Sequence, residues 1–240
     1  MSQPYLSIII PARNEESRLP RALGQVFAFL EQQPYRSEVI VVENASSDQT
    51  LQVAQRLAKN FPALRILQET HRGKGSAIRR GMMEARGEYR FVADADFSMP
   101  VGEINRFLPP ACECDIAIAS REAPGAVRYG EPYYRHFTGR VFNFLIRTLV
   151  LPGLQDTQCG FKCFRAAVAE EVFRFQTLTG WSFDVEILFI ARRQGYIIHE
   201  IGIPWHYTAG SKISVLRDSG RMFLDLLTIR RNARRGTYDP

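Results

Sequence analysis

An α/β fold, with a mostly parallel sheet and helices on both faces, follows from three features of this 240-residue chain. Short β-branched runs alternate with segments of helical periodicity through the first half, the pattern of βαβ units. Each run ends in an unusually polar cluster, at residues 12–16, 43–48, 71–75 and 94–98. Ligands of parallel sheets bind beyond the C-terminal ends of the strands, so the repeated clusters point to one site. The composition, 45% apolar and 23% charged, agrees with a chain that buries a sizeable core.

Leu6 to Pro11 (LSIIIP) reads as a buried strand, because the apolar residues are consecutive rather than alternating. Leu19, Ala22, Leu23, Val26, Phe27 and Leu30 then recur at helical spacing. Glu38 to Val42 is a second strand. Ser46 or Ser47 is expected to cap the helix that carries Leu51, Ala54 and Leu57. Leu64 to Leu67 and Tyr89 to Ala93 are two further strands, with a helix entered through His71–Ser76 between them. The second half is less regular. Asp115 to Ser120 reads as a strand followed by Arg121, and Val141 to Leu151 as a helix apolar on most of its circumference. Residues 215–229 give a last amphipathic helix, with Leu216, Phe223, Leu226 and Leu227 apolar.

Several classes are excluded. Four Cys are too few for a disulfide scaffold. The C-x-C and C-x-x-x-C spacings of Cys112, Cys114, Cys159 and Cys163 are not those of a zinc ribbon, so reduced thiols are expected. No apolar run reaches the roughly 18 residues of a membrane span, and no secretory leader is expected at the N-terminus. The formal net charge is +6, and from Lys212 to Pro240 seven Lys or Arg face three Asp. Such a basic end suits nucleic acid, an anionic membrane surface or a phosphorylated ligand. The chain is expected to divide into a catalytic unit, residues 1–212, and a basic amphipathic helix and tail, residues 213–240, packed on it.

Asp94-Ala95-Asp96 follows a strand. If the chain stays extended, the two carboxylates point to the same side. At about 4 Å they would repel by roughly 4 kcal/mol at an effective dielectric of 20. A divalent cation removes that repulsion, and oxygen ligands favour Mg²⁺ or Mn²⁺. Arg72-Gly73-Lys74-Gly75 offers glycines for close approach and cations for phosphate. It is not a Walker A loop.

The segments LSIIIPARNEE, VIVVENASSDQT, RGKGSAIRRGM, ARGEYRFVADAD, DTQCGFKCF, WSFDVEILFIARRQGY and GSKIS occur in this order. Together they resemble the family-two glycosyltransferases of GT-A fold, in particular the branch that glucosylates dolichyl phosphate. The polyprenyl-phosphate mannosyltransferases come next. The resemblance spans roughly residues 6 to 230. It implies that Pro11, Ala12, Asn14 and Glu16 belong to the first nucleotide-holding loop. Glu43 takes the place of an Asp that contacts base or ribose, and Asn44 that of a second Asp. Lys74 and Ala95 fall in donor-binding segments. Asp94 matches a position near the nucleotide and Asp96 a metal ligand. Ser98 stands where mannosyl relatives carry Gln as a metal contact. Arg121 matches the arginine after a strand end, and Ser211 and Lys212 a late segment that closes over the diphosphate. Asp156 matches the family position proposed as base, with Asp184 or Glu186 as further acids near the acceptor.

The implied reaction moves a sugar, glucose from UDP-glucose, from a nucleotide-sugar donor to a polyprenyl phosphate acceptor with inversion and a bound Mg²⁺ or Mn²⁺. The acceptor phosphate is a ready nucleophile, so Asp156 can serve orientation instead of proton removal. Because the lipid stays in its bilayer, peripheral attachment to the cytoplasmic face of a membrane is expected, through residues 141–151 and the basic end. Transfer from GDP-mannose or to a soluble acceptor are the alternatives. A nucleotidyltransferase would need a Gly-rich, Arg-bearing segment after the first strand. A nucleic-acid binder would leave the acids at the strand ends without a use, so no nucleic-acid partner is expected.

Overall fold

The computed structural model describes residues 3–207 and 215–239, and the side chains of that range except Tyr134, Arg135, Phe137 and residues 215–219. The first half builds β1 (Leu6–Ala12), α1 (Leu19–Leu30), β2 (Ser37–Glu43), α2 (Thr50–Ala58), β3 (Leu64–Gln68), α3 (Lys74–Glu84) and β4 (Tyr89–Val92). The second adds β5 (Ile116–Ser120), β6 (Val127–Tyr129), α4 (Tyr133–Leu149), β7 (Lys162–Arg165), α5 (Ala166–Arg174), α6 (Phe183–Arg193), β8 (Ile198–Gly202), β9 (Pro204–His206) and α7 (Val215–Arg234).

The main sheet has the order β3-β2-β1-β4-β7-β5-β8. Neighbours are parallel except around β7, which runs antiparallel to both β4 and β5. The order reverses at β1, whose neighbours are β2 and β4, and that is where an α/β sheet opens a crevice. β6 and β9 form a separate two-stranded parallel ribbon. β7 is the element least visible in the sequence, because four residues, Lys-Cys-Phe-Arg, carry neither alternation nor an apolar run.

Consecutive residues of the central strands face opposite sides, and both sides are covered. Ile8, Ile10, Val39 and Val41 join one core with Leu23, Val26 and Val53 of α1 and α2. Ile9, Ile40 and Val42 join the other, with Ile78 and Met82 of α3 and Ile187 and Ile190 of α6. Two covered faces explain the uninterrupted apolar runs of β1 and β2.

Four local expectations are corrected. Neither Ser46 nor Ser47 caps α2; the carboxylate of Asp48 accepts the Thr50 N–H at 3.0 Å, while Ser46 and Ser47 bond to Glu43 and Asn14. The helix expected at 141–151 begins at Tyr133 and ends at Leu149. Only one stripe of it is core: Ile146 is buried, whereas Phe144 is 66% exposed. The last helix continues past 229 to Arg234. Cys112 and Cys114 form a disulfide instead of remaining thiols, because the turn between them brings their Cα atoms to 5.7 Å, within disulfide range. Cys159 and Cys163 are free and buried.

The basic end is tied down. α7 packs against α4. Beyond it the fully buried Tyr238 donates its hydroxyl to Glu186 of α6 at 2.7 Å. Glu186 also accepts the N–H groups of Thr177 and Leu178 at 3.0 and 2.7 Å. A buried acceptor that loses one donor destabilises a protein by about 1–3 kcal/mol. Tyr238→Phe is expected to lower the urea midpoint by that free energy with an unchanged slope. An unaltered midpoint would show that this anchor contributes nothing.

Candidate active site

The C-terminal ends of β1, β2 and β4, the start of α3 and the segments around β7 and α4 surround a cavity of about 750 Å³. Pro11, Ala12, Asn14, Lys74, Asp94, Ala95, Asp96, Ser98 and Arg121 line it. Three non-glycine residues hold positive φ at this rim: Asn14 (52°), Ala45 (48°) and Phe97 (42°). Such conformations are uncommon and cluster at functional sites.

The loops after β1 and β2 interlock. Asn14 accepts the Ser47 N–H at 2.8 Å, and its own N–H donates to Ser46 Oγ at 3.1 Å. Glu16 accepts the Gln49 N–H at 2.8 Å. Glu43 is buried and accepts the Ser46 N–H at 2.6 Å. Glu16 and Glu43 therefore shape the loops and do not line the cavity. Asn44 clamps the β2 loop to the loop before α3. Its amide donates to the carbonyls of Glu69 and His71 and accepts the Gly73 N–H at 2.9 Å. A carboxylate could not make both donations, which accounts for Asn at this position. Gly73 has φ 147°, and a Cβ there would lie 2.2 Å from the Thr179 carbonyl oxygen.

After β4 the chain turns at Asp96 instead of staying extended. The two acids nevertheless share one electrostatic environment. Burial, and then the charge of Asp94, raise the Asp96 pKa above the usual carboxylate range. The Ser98 N–H donates to Asp96 at 3.1 Å, and the Ser98 carbonyl accepts the His206 N–H at 2.7 Å. Lys74 Nζ lies 2.6 Å from Asp94 Oδ1. Burial disfavours the Lys74 ammonium, but Asp94 and then Asp184 outweigh it and raise its pKa. Gly160 lets the strand approach: a Cβ there would sit 2.3 Å from Asp94 Oδ2.

The other wall holds Arg121, whose guanidinium lies 5.5 Å from the Trp205 ring centroid. Behind it, fully buried and off the cavity wall, Asp156 accepts Arg121 Nε at 2.6 Å, Nη2 at 2.9 Å and the Arg121 N–H at 3.0 Å. Burial opposes its ionisation. The Arg121 charge and hydrogen bonds prevail and push the Asp156 pKa down to about 2. Asp184 lines the cavity, whereas Glu186 serves the C-terminal anchor. Ser211 and Lys212 lie outside the described residues.

Several cavity residues escape a reading by motif. Lys162 of β7 is buried and paired with Asp184 at 2.7 Å. Its signal was a lysine within Gly-Phe-Lys-Cys-Phe, where a cation needs a buried partner. Trp181 lies over Lys74, with Nζ 5.6 Å from the ring centroid. Arg128, paired with Glu122 and Glu131, joins the wall through contacts that sequence spacing does not reveal.

This fold, with acids and cations gathered at its strand ends, defines a glycosyltransferase. The sequence matches Glycosyl transferase family 2 over residues 7–173. The chain belongs to that family. It is 32% identical to the dolichyl-phosphate beta-glucosyltransferase of Saccharomyces cerevisiae, over 98% of this chain and 76% of that protein. Against the dolichyl-phosphate beta-glucosyltransferase of Homo sapiens the identity is 34%, covering 94% and 74%. Among solved structures, glucosyl-3-phosphoglycerate synthase from Mycobacterium tuberculosis in complex with Mn²⁺, UDP and phosphoglyceric acid superposes with a TM-score of 0.67 at 15% identity. That match covers 96% of this chain and 78% of the synthase, and the shared architecture is the GT-A fold.

The depressed Asp156 pKa has a consequence for stability. A carboxylate at about 2 when folded and near 3.9 when unfolded contributes roughly 2 kcal/mol at neutral pH. That contribution is complete above the unfolded value and is lost as pH falls through the folded one. The urea stability gap between the native chain and Asp156→Asn is expected to be constant from about pH 7 to 5 and to shrink between about pH 4 and 2. A gap that ignores acid would refute the ionised pair.

Proposed function

We propose that the chain transfers glucose from UDP-glucose to dolichyl phosphate or a related polyprenyl phosphate, with inversion at the anomeric carbon. The observation that carries this reading is the joint one. Relatives named for that activity match nearly the whole chain at 32–34% identity, and a cavity at the strand ends holds acids on one wall and an arginine on the other.

Pro11, Ala12 and Asn14 hold the nucleotide, and Glu16 and Glu43 keep their loop in shape. Asp94 and Asp96 fit a divalent cation: both offer oxygen donors, and the raised Asp96 pKa reports a like-charge neighbour that a cation would relieve. When bound there with Ser98 nearby, Mg²⁺ or Mn²⁺ would offset the charge of the departing diphosphate. Lys74, with Ser211 and Lys212, adds ammonium and hydroxyl donors to the same phosphates.

Arg121 receives the acceptor phosphate. One phosphate oxygen attacks the anomeric carbon while the bond from that carbon to the diphosphate oxygen breaks, and UDP leaves. The phosphate is substantially dianionic at neutral pH and has no proton that must be removed. Asp156, held near pKa 2, is matched to aiming Arg121 and poorly matched to proton abstraction.

The acceptor's lipid calls for a membrane surface. No helix among the described residues is long and apolar enough to cross one. α4 and α7 pack together and expose Val141, Phe144, Leu224 and Leu227 beside Arg140, Arg147 and Arg221. Phe142 of α4 and Met222 of α7 meanwhile line the cavity. This pair supports peripheral attachment, on the cytoplasmic face, next to the cavity mouth. Residues 1–212 then form the catalytic unit and 213–240 the basic attachment, seated on the same body.

With polyprenyl phosphate and Mn²⁺, UDP-glucose is expected to exceed GDP-mannose by at least about tenfold in kcat/KM. Asp96→Ala is expected to lower turnover by about 10²–10³, the scale of losing one preorganised electrostatic contact. Preference for GDP-mannose, or full activity in EDTA, would reject the reading. In a liposome sedimentation assay the protein is expected to bind anionic vesicles at low salt, and Phe144→Asp with Leu224→Asp to release it. Indifference of the unaltered protein to such vesicles would remove the membrane part.

A further inference from the structure

A line of alternating charges crosses the cavity floor. Lys74 Nζ is 2.6 Å from Asp94, and Lys162 Nζ is 2.7 Å from Asp184. The charges of Asp184 and Asp96 also reach the Lys74 ammonium. The two lysines are held differently. Lys162 is fixed: its side chain is 2% exposed, it sits on a sheet strand, and it also donates to the Cys159 carbonyl at 2.6 Å. Lys74 stands in the first turn of α3 on the open wall, under the Trp181 ring. Its flexible four-carbon stem has two carboxylates to choose between, Asp94 and Asp184.

The charge count is informative. Asp94, Asp96 and Asp184 against Lys74 and Lys162 leave one net negative charge. A divalent cation alone would reverse its sign. A nucleoside diphosphate sugar alone, with two phosphate charges, would triple it. Both together restore it. Separate entry of either ligand therefore works against the electrostatics of the floor, and joint entry does not.

We propose that Lys74 is a displaceable counter-ion. It masks Asp94 in the empty protein and moves toward Asp184 and the diphosphate when cation and donor arrive together. Lys74 thereby makes cation affinity depend on the nucleotide, and Asp184 is the positioning residue that receives the released ammonium. This deepens the functional reading above and rests on it. No bond is made or broken; one ammonium exchanges partners.

The test is a Mn²⁺ titration of the full chain, read from the free Mn²⁺ paramagnetic resonance signal, with and without saturating UDP. The native chain is expected to bind Mn²⁺ weakly alone and about tenfold or more tightly with UDP, within the usual range of coupling between sites. Lys74→Met keeps the stem and removes the charge. It is expected to bind Mn²⁺ alone about tenfold more tightly, and the effect of UDP is expected to shrink toward none. Lys74→Gln should behave alike, and circular dichroism reports whether either variant folds. Asp184→Asn removes the alternative partner, so Mn²⁺ alone stays weak and the UDP effect falls. If UDP promotes Mn²⁺ binding in the native chain but both Lys74 variants bind Mn²⁺ alone no better, the counter-ion role is overturned while the functional reading stands. If the native chain binds no Mn²⁺ even with UDP, the metal-assisted reading falls and takes this inference with it.

Discussion

Acids gathered at the end of a parallel sheet repel one another, and the architecture of this rim is a response to that repulsion. Asp94, Asp96 and Asp184 converge on one cavity wall, where burial weakens the screening that water would give. Their neighbours are correspondingly cationic. Lys74 comes from a helix start and Lys162 from a strand interior, each within 2.7 Å of a carboxylate. The antiparallel β7 is what makes the second pairing available. It enters between β4 and β5 and carries a buried ammonium into the floor. Gly160, just before it, lets the strand pass against Asp94 without a side chain in the way.

The backbone is strained for the same end. Asn14, Ala45 and Phe97 sit at positive φ just after β1, β2 and β4. Each such conformation costs about 1–3 kcal/mol and persists only where its surroundings over-determine it. The surroundings here are specific. Asn14 is held from Ser46 and Ser47, Ala45 follows the three-bonded Asn44, and Phe97 lies between Asp96 and the Ser98 N–H that Asp96 accepts. The turns aim polar side chains and free backbone groups into one cavity, and the hydrogen bonds between loops keep them aimed.

What the sequence disclosed follows from this design. Strands buried on both faces announce themselves as apolar runs, so β1 to β5 and the polar ends between them were readable, as was Lys74 beside its glycines. Local signals could not disclose partners distant in the chain. Asp156 was legible as an acid and not as the clamp on Arg121, because the two lie 35 residues apart and meet only through the fold. Glu186 was grouped with Asp184 by proximity in WSFDVE, although successive helix positions point in different directions. One reaches the cavity and the other Tyr238. Ser46 and Ser47 suited a cap by composition, yet interlocking with Asn14 and Glu43 took their hydrogen bonds instead.

The pairing of Arg121 with Asp156 bears on the chemistry more directly than any motif. A general base works best with a pKa near the operating pH, so that it can both be free and hold a proton. Asp156 is pushed to about 2, is fully buried, and spends its oxygens on one guanidinium and backbone N–H groups. A sugar hydroxyl as acceptor would need a base that this arrangement does not supply. A phosphate monoester needs none, because its oxygen is already anionic at neutral pH. It needs a rigid cation facing it, and a buried carboxylate anchored in turn by Glu200, which accepts the N–H groups of Gln155 and Asp156 at 2.8 and 2.9 Å, is a way to hold one. The geometry behind Arg121 thus favours an anionic acceptor on physical grounds that are independent of the names of the relatives.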